Sequence, residues 1–299
     1  MRSGATLYRM RRLQPYLLLA PALVFVVGLS AYPVVQMVQM STRSLRFGQT
    51  LGTARPIGLG NYADLLASAD FWHAAKLSLV FMVVCLAVEL LLGMAIALLL
   101  NNQRIVGRSV ITACLIIPQV LMPSMLGMTW RLYFAHEGIV NYFIQLLGGT
   151  PLNWYSPQLA LPAVMVVDIW EWTPFFVLVL LAGLQSLPQE PFDAARVDGA
   201  SPWQILRYII LPMMAPLMII ASLLRMMDLM RLFDVVFAMY GGGPGNATET
   251  LPLHIYVVTM LRRNVGMGLA GSIMLIVLTL IAAVGLVMLL RRMRRPEEA

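Results

Sequence analysis

The sequence predicts an all-α, polytopic membrane protein: six transmembrane helices, with one helical loop between the fourth and the fifth. Three observations predict it. Hydrophobic residues fill 60% of the 299 positions and charged ones only 12%, whereas soluble domains carry about a quarter charged. The apolar residues gather in continuous runs of about 20, the length that crosses a bilayer as a helix. The runs lack the short apolar–polar alternation of a membrane barrel, and helices and closed barrels are the two ways to satisfy a backbone in lipid.

In chain order the spans lie near 15–38, 77–100, 110–133, 159–184, 208–229 and 268–290. The first follows a basic start, "MRSGATLYRMRRLQPYLLLAPALVFVVGLSAYP", which has the look of a secretory signal. Its apolar run continues to about Val38 without a small-residue cleavage site, so we expect a retained span. Pro118 and Pro123 in the third run, Pro174 in the fourth, and Pro212 and Pro216 in the fifth predict kinks. The segments 39–76 and 230–267 leave room for short interfacial helices and nothing larger. No internal repeat is visible. The chain therefore reads as one membrane domain, 15–290, between short ends at 1–14 and 291–299.

An even number of spans puts both termini on one side, and arginines choose the side. With the termini in the cytoplasm, the inner segments hold Arg2, Arg9, Arg11, Arg12, Arg104, Arg108, Arg196, Arg207, Arg291, Arg292, Arg294 and Arg295. Arg43, Arg46 and Arg55 run against this bias. The net charge of +7 is assigned to topology and to anionic lipid headgroups, not to nucleic acid. Cys85 and Cys114 have neither disulfide nor metal-ligand spacing. His73, His136 and His254 lie apart, and the 22 methionines are scattered as fillers. No metal site and no catalytic constellation is predicted.

The polar stretch "DAARVDGASPWQILRYIILPMMAP" at 193–216 stands out. Ser186 and Gln189 flank Pro188 in a capping-box pattern, so a short helix is expected through about Val197. Gly199 sits where a helix end needs a left-handed residue. Ser201, Pro202 and Gln204 repeat the start signal, and a second helix runs into the fifth span near Pro212. Phe192, Ala195 and Gly199 fall near one face, open to close approach, and Asp193 and Arg196 flank it.

Asp193, Ala194 and Ala195, three residues, Gly199, nine residues, Ile209, one residue, then Leu211 and Pro212 resemble the EAA loop of ABC-importer permeases. Asp193 stands where that motif has Glu. "RPIGLGNYADLL" at 55–66, "DIWEWTPFFVLVLLAGLQSLP" at 168–188, "RMMDLMRLFDVVFAMY" at 225–240 and "MYGGGPGNATETLPLHIY" at 239–256 resemble the carbohydrate, maltose-transporter-type branch. The likeness runs from about residue 13 to 290.

The resemblance implies a multi-pass subunit of a bacterial plasma (inner) membrane. Its loop at 186–212 is then a cytoplasmic coupling helix, with Asp193, Ala194, Ala195, Asp198, Gly199, Ile209, Leu211 and Pro212 facing the ATPase. The implied partners are a second, different permease, two copies of a cytoplasmic ABC ATPase and an extracytoplasmic substrate-binding protein. ATP and magnesium belong to the ATPase. The run "GGGPG" at 241–245 lacks the Lys-Ser/Thr ending of a phosphate loop. Gly241, Gly242, Gly243, Pro244, Gly245 and Asn246 instead correspond to a loop that enters the binding protein's cleft.

Polar residues inside spans are costly and need a reason. Glu89, Gln119, Asp168, Trp170, Glu171, Trp172 and Asp228 are the candidate solute pathway, since carboxylates accept from sugar hydroxyls and indoles stack on sugar faces. Trp170 and Trp172 equally suit interfacial anchors. Glu89 equally suits a bond to a neighbouring helix. Arg225 and Asp228, three apart, are expected to pair with each other. A stand-alone ion- or proton-coupled transporter is the alternative function, and it would use the intramembrane acids as a relay.

Overall fold

A computed structural model describes residues 3–102 and 106–293, with side chains over 18–102 and 106–288. Arg2, Arg104, Arg294 and Arg295 lie outside the described residues, as do the side chains of Arg9, Arg11, Arg12, Arg291 and Arg292. Among the described residues there is no strand, and two isolated bridges are the sole β pairings. The helices are α1 (Ser3–Ser41), α2 (Gly60–Ala67), α3 (Ala69–Leu100), α4 (Arg108–Val120), α5 (Pro123–Tyr133), α6 (Ile139–Leu146) and α7 (Ala160–Gln185). They continue with α8 (Glu190–Val197), α9 (Pro202–Ile205), α10 (Leu211–Leu229), α11 (Asp234–Tyr240), α12 (Leu251–Tyr256) and α13 (Val265–Met293).

Among the described residues, five stretches are long and apolar enough to cross a bilayer: Leu18–Ser41, Ala69–Leu100, Ala160–Gln185, Pro202–Leu229 and Val265–Met288. The expected third span is the exception. It breaks into α4 and α5 with a 97° bend. The cause is local. Pro118 removes a donor near the end of α4, and Pro123 opens α5 and holds Met122 extended (ψ 128°). Pro174 and Pro216, by contrast, sit inside continuous helices.

Two compact units are distinguished, residues 1–67 with 257–273 and residues 68–256 with 274–299. In the first, the loop after α1 is held by its own arginine. Arg43 Nη1 donates to the Leu51 and Ala54 carbonyls (2.8 and 3.2 Å), and the buried Asn61 donates to the Ser41 and Arg43 carbonyls (2.7 and 2.9 Å). Arg43, which ran against the expected charge bias, thus has a structural task.

In the second unit α3 packs along α7, and α10 packs on both. Lipid tails are as apolar as leucine, so close approach rather than hydrophobic burial must hold these helices together. Gly93 of α3 lies against Phe176, and Gly183 of α7 lies against Met214 and Leu217 of α10, where a Cβ would collide.

Candidate functional site

The polar residues of three spans meet at one point. Arg225 of α10 is 2% exposed and donates twice to Glu89 of α3, Nε to Oε2 and Nη2 to Oε1, both at 2.8 Å. Its Nη2 also donates to Asp168 Oδ2 of α7. The guanidinium carbon lies 4.3 Å from the ring centre of Trp172. Glu89 and Asp168 have no exposed surface, and Glu171 is buried beside them on α7. Burying unpaired charge in a membrane is prohibitive, and here a planar fork matched to two carboxylates compensates. Among the described residues, Asp168 Oδ1 and Ser222 Oγ are the buried side-chain oxygens without a partner.

The cluster borders a cavity of about 310 Å³ lined by Trp172, Phe175, Arg225, Asp228 and Arg231 among others. Asp228 accepts from Arg231 at 2.8 Å in a partly exposed pair. Trp170 lies away from the cluster, edge-on to Trp130 at 5.5 Å. Gln119 is half-buried on α4, next to the break.

At the far end of α7 the 186–212 loop is a built object. Helix α8 ends in a Schellman motif: Gly199 N–H donates to the Arg196 carbonyl (3.1 Å) and Ala200 N–H to the Ala195 carbonyl (2.9 Å). Gly199 has φ +75°, a conformation that costs an L-residue about 1–2 kcal/mol. A full capping box opens α9. Gln204 N–H donates to Ser201 Oγ (3.4 Å), and Ser201 N–H donates to Gln204 Oε1 (2.7 Å). Between α9 and α10 the chain widens into a π turn, Leu206–Ile210, just before Pro212. Asp193, Ala194, Val197, Asp198 and Gly199 are exposed, and Asp193 pairs with Arg196 at 3.1 Å.

The opposite end of the fold carries the glycine-rich turn at 241–246. It is tied down at its base. Thr248 N–H donates to the Gly242 carbonyl (3.1 Å), Thr248 Oγ1 donates to the Gly243 carbonyl (2.8 Å), and Leu251 N–H donates to Ser78 Oγ (2.8 Å). Gly245 and Asn246 form its exposed tip. Below it, Tyr240 donates to the Trp154 carbonyl at 2.9 Å. Burial pushes its phenol above the usual range, so it keeps that proton.

Residues 89–295 match the family described as binding-protein-dependent transport system inner membrane component. The chain belongs to that family. This permease is 36% identical over 268 residues to the trehalose/maltose transport system permease protein MalF of Thermococcus litoralis, covering 89% of each chain. A probable ABC transporter permease of Sinorhizobium fredii is 41% identical over 201 residues, 67% of this chain and 65% of that one. In fold, the permease matches a chain of a bacterial alginate ABC transporter solved in complex with an alginate-pentasaccharide-bound periplasmic protein. The TM-score is 0.79 at 19% identity, over 99% of each chain. The Thermococcus litoralis and Sinorhizobium fredii relatives are both named permease proteins.

Against these results, several expectations change. Ser186 does not cap α8. It ends α7, its hydroxyl donating to the Gly183 carbonyl (2.8 Å), while α8 begins at Glu190 behind Gln189. Arg225 and Asp228 do not pair. Each finds a nearer or less exposed partner, Arg225 across the spans and Asp228 with Arg231. Phe192 and Ala195, read as part of an open face, are half-buried, and the free surface of α8 is the Asp193–Ala194–Val197 side. Of the candidate pathway residues, Trp172 and Asp228 line the cavity and Glu89 and Asp168 sit behind Arg225. The role of Arg225 as the hub went unread. The signal was the charge balance: lone acids in two spans require a buried cation in a third.

Proposed function

We propose that this permease is one transmembrane subunit of an ATP-driven importer of a sugar or sugar-like solute. It forms half of the translocation pathway and takes up the work of a separate ATPase through the loop at 193–212. The observation that carries the reading is the build of that loop. Two helices are locked at a fixed angle by a Schellman motif and a capping box, and they present a bare Asp193–Ala194–Val197 surface. A rigid, exposed elbow suits the transmission of force, and a plain connector needs none of it.

On this reading both termini are cytoplasmic. The partners are a second permease, two ATPase copies and an extracytoplasmic binding protein, and ATP and magnesium stay on the ATPase. The sugar class is supported by the trehalose/maltose relative and by the aromatic rings and charged side chains in the cavity wall, Trp172, Phe175, Arg225, Asp228 and Arg231. The tip at Gly245–Asn246 is the element offered to the binding protein. Its fastened base favours a short, stiff contact.

Gly199→Asp tests the coupling role. Solute-stimulated ATP hydrolysis by the assembled transporter should fall at least about fivefold, the lower end of a typical inter-site coupling, with the amount of inserted permease unchanged. Unchanged stimulation would overturn the assignment. The alternative, a stand-alone ion-coupled transporter, draws on the intramembrane acids. Arg225 holds two of them, which favours a structural clasp over a relay. Solute uptake by the chain alone in liposomes, driven by an ion gradient without ATP, would decide for the alternative.

A further inference from the structure

Helix α6 has no part in the function proposed above. It precedes α7, whose other end leads into the 186–212 loop, so α6 lies toward the opposite membrane face. One side of it is fastened. Asn141 is fully buried, and its Nδ2 donates to the Ala135, His136 and Leu152 carbonyls (3.3, 3.1 and 3.0 Å). Its Oδ1 accepts from Leu152 N–H (3.0 Å) and Trp154 Nε1–H (3.1 Å). Rolling the helix would strand those groups, at about 1–3 kcal/mol for each one left buried and unpaired. The outward side is therefore fixed, and it is apolar. Ile139, Tyr142, Phe143, Leu146 and Leu147 follow the spacing of one helix face, all half exposed or more, with Leu147 at 87%.

The depth of this face follows from the broken span. Helix α4 has 13 residues, about 20 Å of rise, against a hydrocarbon core of about 30 Å. The chain does not finish the crossing in the same direction, because α5 turns away by 97°. Helix α5, which contacts α6, bares Met125, Met128 and Leu132 along one helix face. No charged residue occurs between Glu137 and Asp168. A segment meant for water, or for the polar rim of a subunit contact, would carry some charge. An apolar helix face of Leu, Ile and Phe with tyrosine and tryptophan close by suits the headgroup–acyl boundary.

We propose that α6 is an interfacial anchor, with its Ile139–Tyr142–Phe143–Leu146–Leu147 face seated against lipid in the leaflet opposite the 186–212 loop. The inference stands whichever solute is carried, and whether or not the loop couples to an ATPase.

The test places an environment-sensitive fluorophore on Leu147→Cys, and separately on Phe143→Cys, in a Cys114→Ser background. Cys85 is buried and spared by the label. Gln158→Cys is the exposed control. The full permease, assembled with its transporter subunits, is reconstituted into bilayers containing brominated phosphatidylcholine. Labels at 143 and 147 should lose emission to the bromolipid at least about twice as strongly as the control, as an apolar face sunk about 5–10 Å requires, and should resist aqueous iodide. Iodide quenching at 147 would overturn the proposal in favour of water. Quenching by neither agent would overturn it in favour of a covering subunit. The label at 143 gives the same reading should the 147 variant fail to assemble.

Discussion

The 186–212 loop and the cluster at Arg225 are both polar islands in an apolar chain, built by opposite means. In the loop, the hydrogen bonds that set its shape close within five residues: Gly199 to Arg196, Ala200 to Ala195, Ser201 to Gln204. In the cluster, the partners stand 136 and 57 positions apart. The loop is exposed and its ion pair screened. The cluster is sealed and its ion pairs carry their full desolvation cost. Local bonds make a stiff external lever, and distant ones fix how three spans lie against each other. Stability should therefore be concentrated at Arg225, and function without much stability at Asp193.

The largest expected effect tests the first half. Arg225→Met leaves Glu89 and Asp168 buried without their cation, at a cost of about 3–5 kcal/mol. Thermal unfolding of the detergent-purified permease should show a clear drop. Adding Glu89→Gln and Asp168→Asn removes the stranded charges and should recover most of the loss. If Arg225→Met unfolds no earlier than the unmodified chain, the cluster is not what holds α3, α7 and α10 together, and the contrast fails.

The same contrast explains what could be read from the sequence. The spans were legible because bilayer thickness imposes a length on them. The turn at Gly199 and the box at Ser201 were legible because each signal and its partner lie within one helical turn. Ser186 misled because serine and proline punctuate helix ends as well as helix starts, and here the hydroxyl donates back to the Gly183 carbonyl, one turn earlier in α7. The span break was half legible. Pro118 and Pro123 announced a bend, but not that Met122, held extended before Pro123, would sever the helix rather than kink it. Pro174, inside an unbroken α7, shows the other outcome. Arg225 was misassigned because a one-dimensional reading offers it Asp228 three residues on, whereas the fold offers two carboxylates from other spans.

Within the loop, Ser201→Ala should have an intermediate effect. It removes the acceptor of Gln204 N–H, and such caps contribute about 0.5–2 kcal/mol. The loss should stay local. Amide exchange should speed up through α9 and the π turn at 206–210, while the spans remain protected and the unfolding temperature barely moves. Faster exchange spreading into α10 would mean that the loop and the spans form one cooperative unit, which the separation of roles forbids.

The smallest expected change in stability belongs to Asp193→Asn. The Asp193–Arg196 pair is 3.1 Å long on an exposed face, and such i,i+3 pairs contribute about 0.2–0.5 kcal/mol. Unfolding of the permease should be indistinguishable from that of the unmodified chain. The carboxylate nevertheless lies on the bare side of α8, beside Ala194 and Val197, where the proposed ATPase contact would desolvate it. A charge that is cheap in water becomes important once a partner buries it. Solute-stimulated ATP hydrolysis should fall while the inserted amount and unfolding temperature stay constant, and Asp193→Glu, which keeps the charge, should restore it. Full activity in Asp193→Asn would mean the acid contributes only to its neighbour on the same helix, and the lever would have to act through the apolar residues beside it.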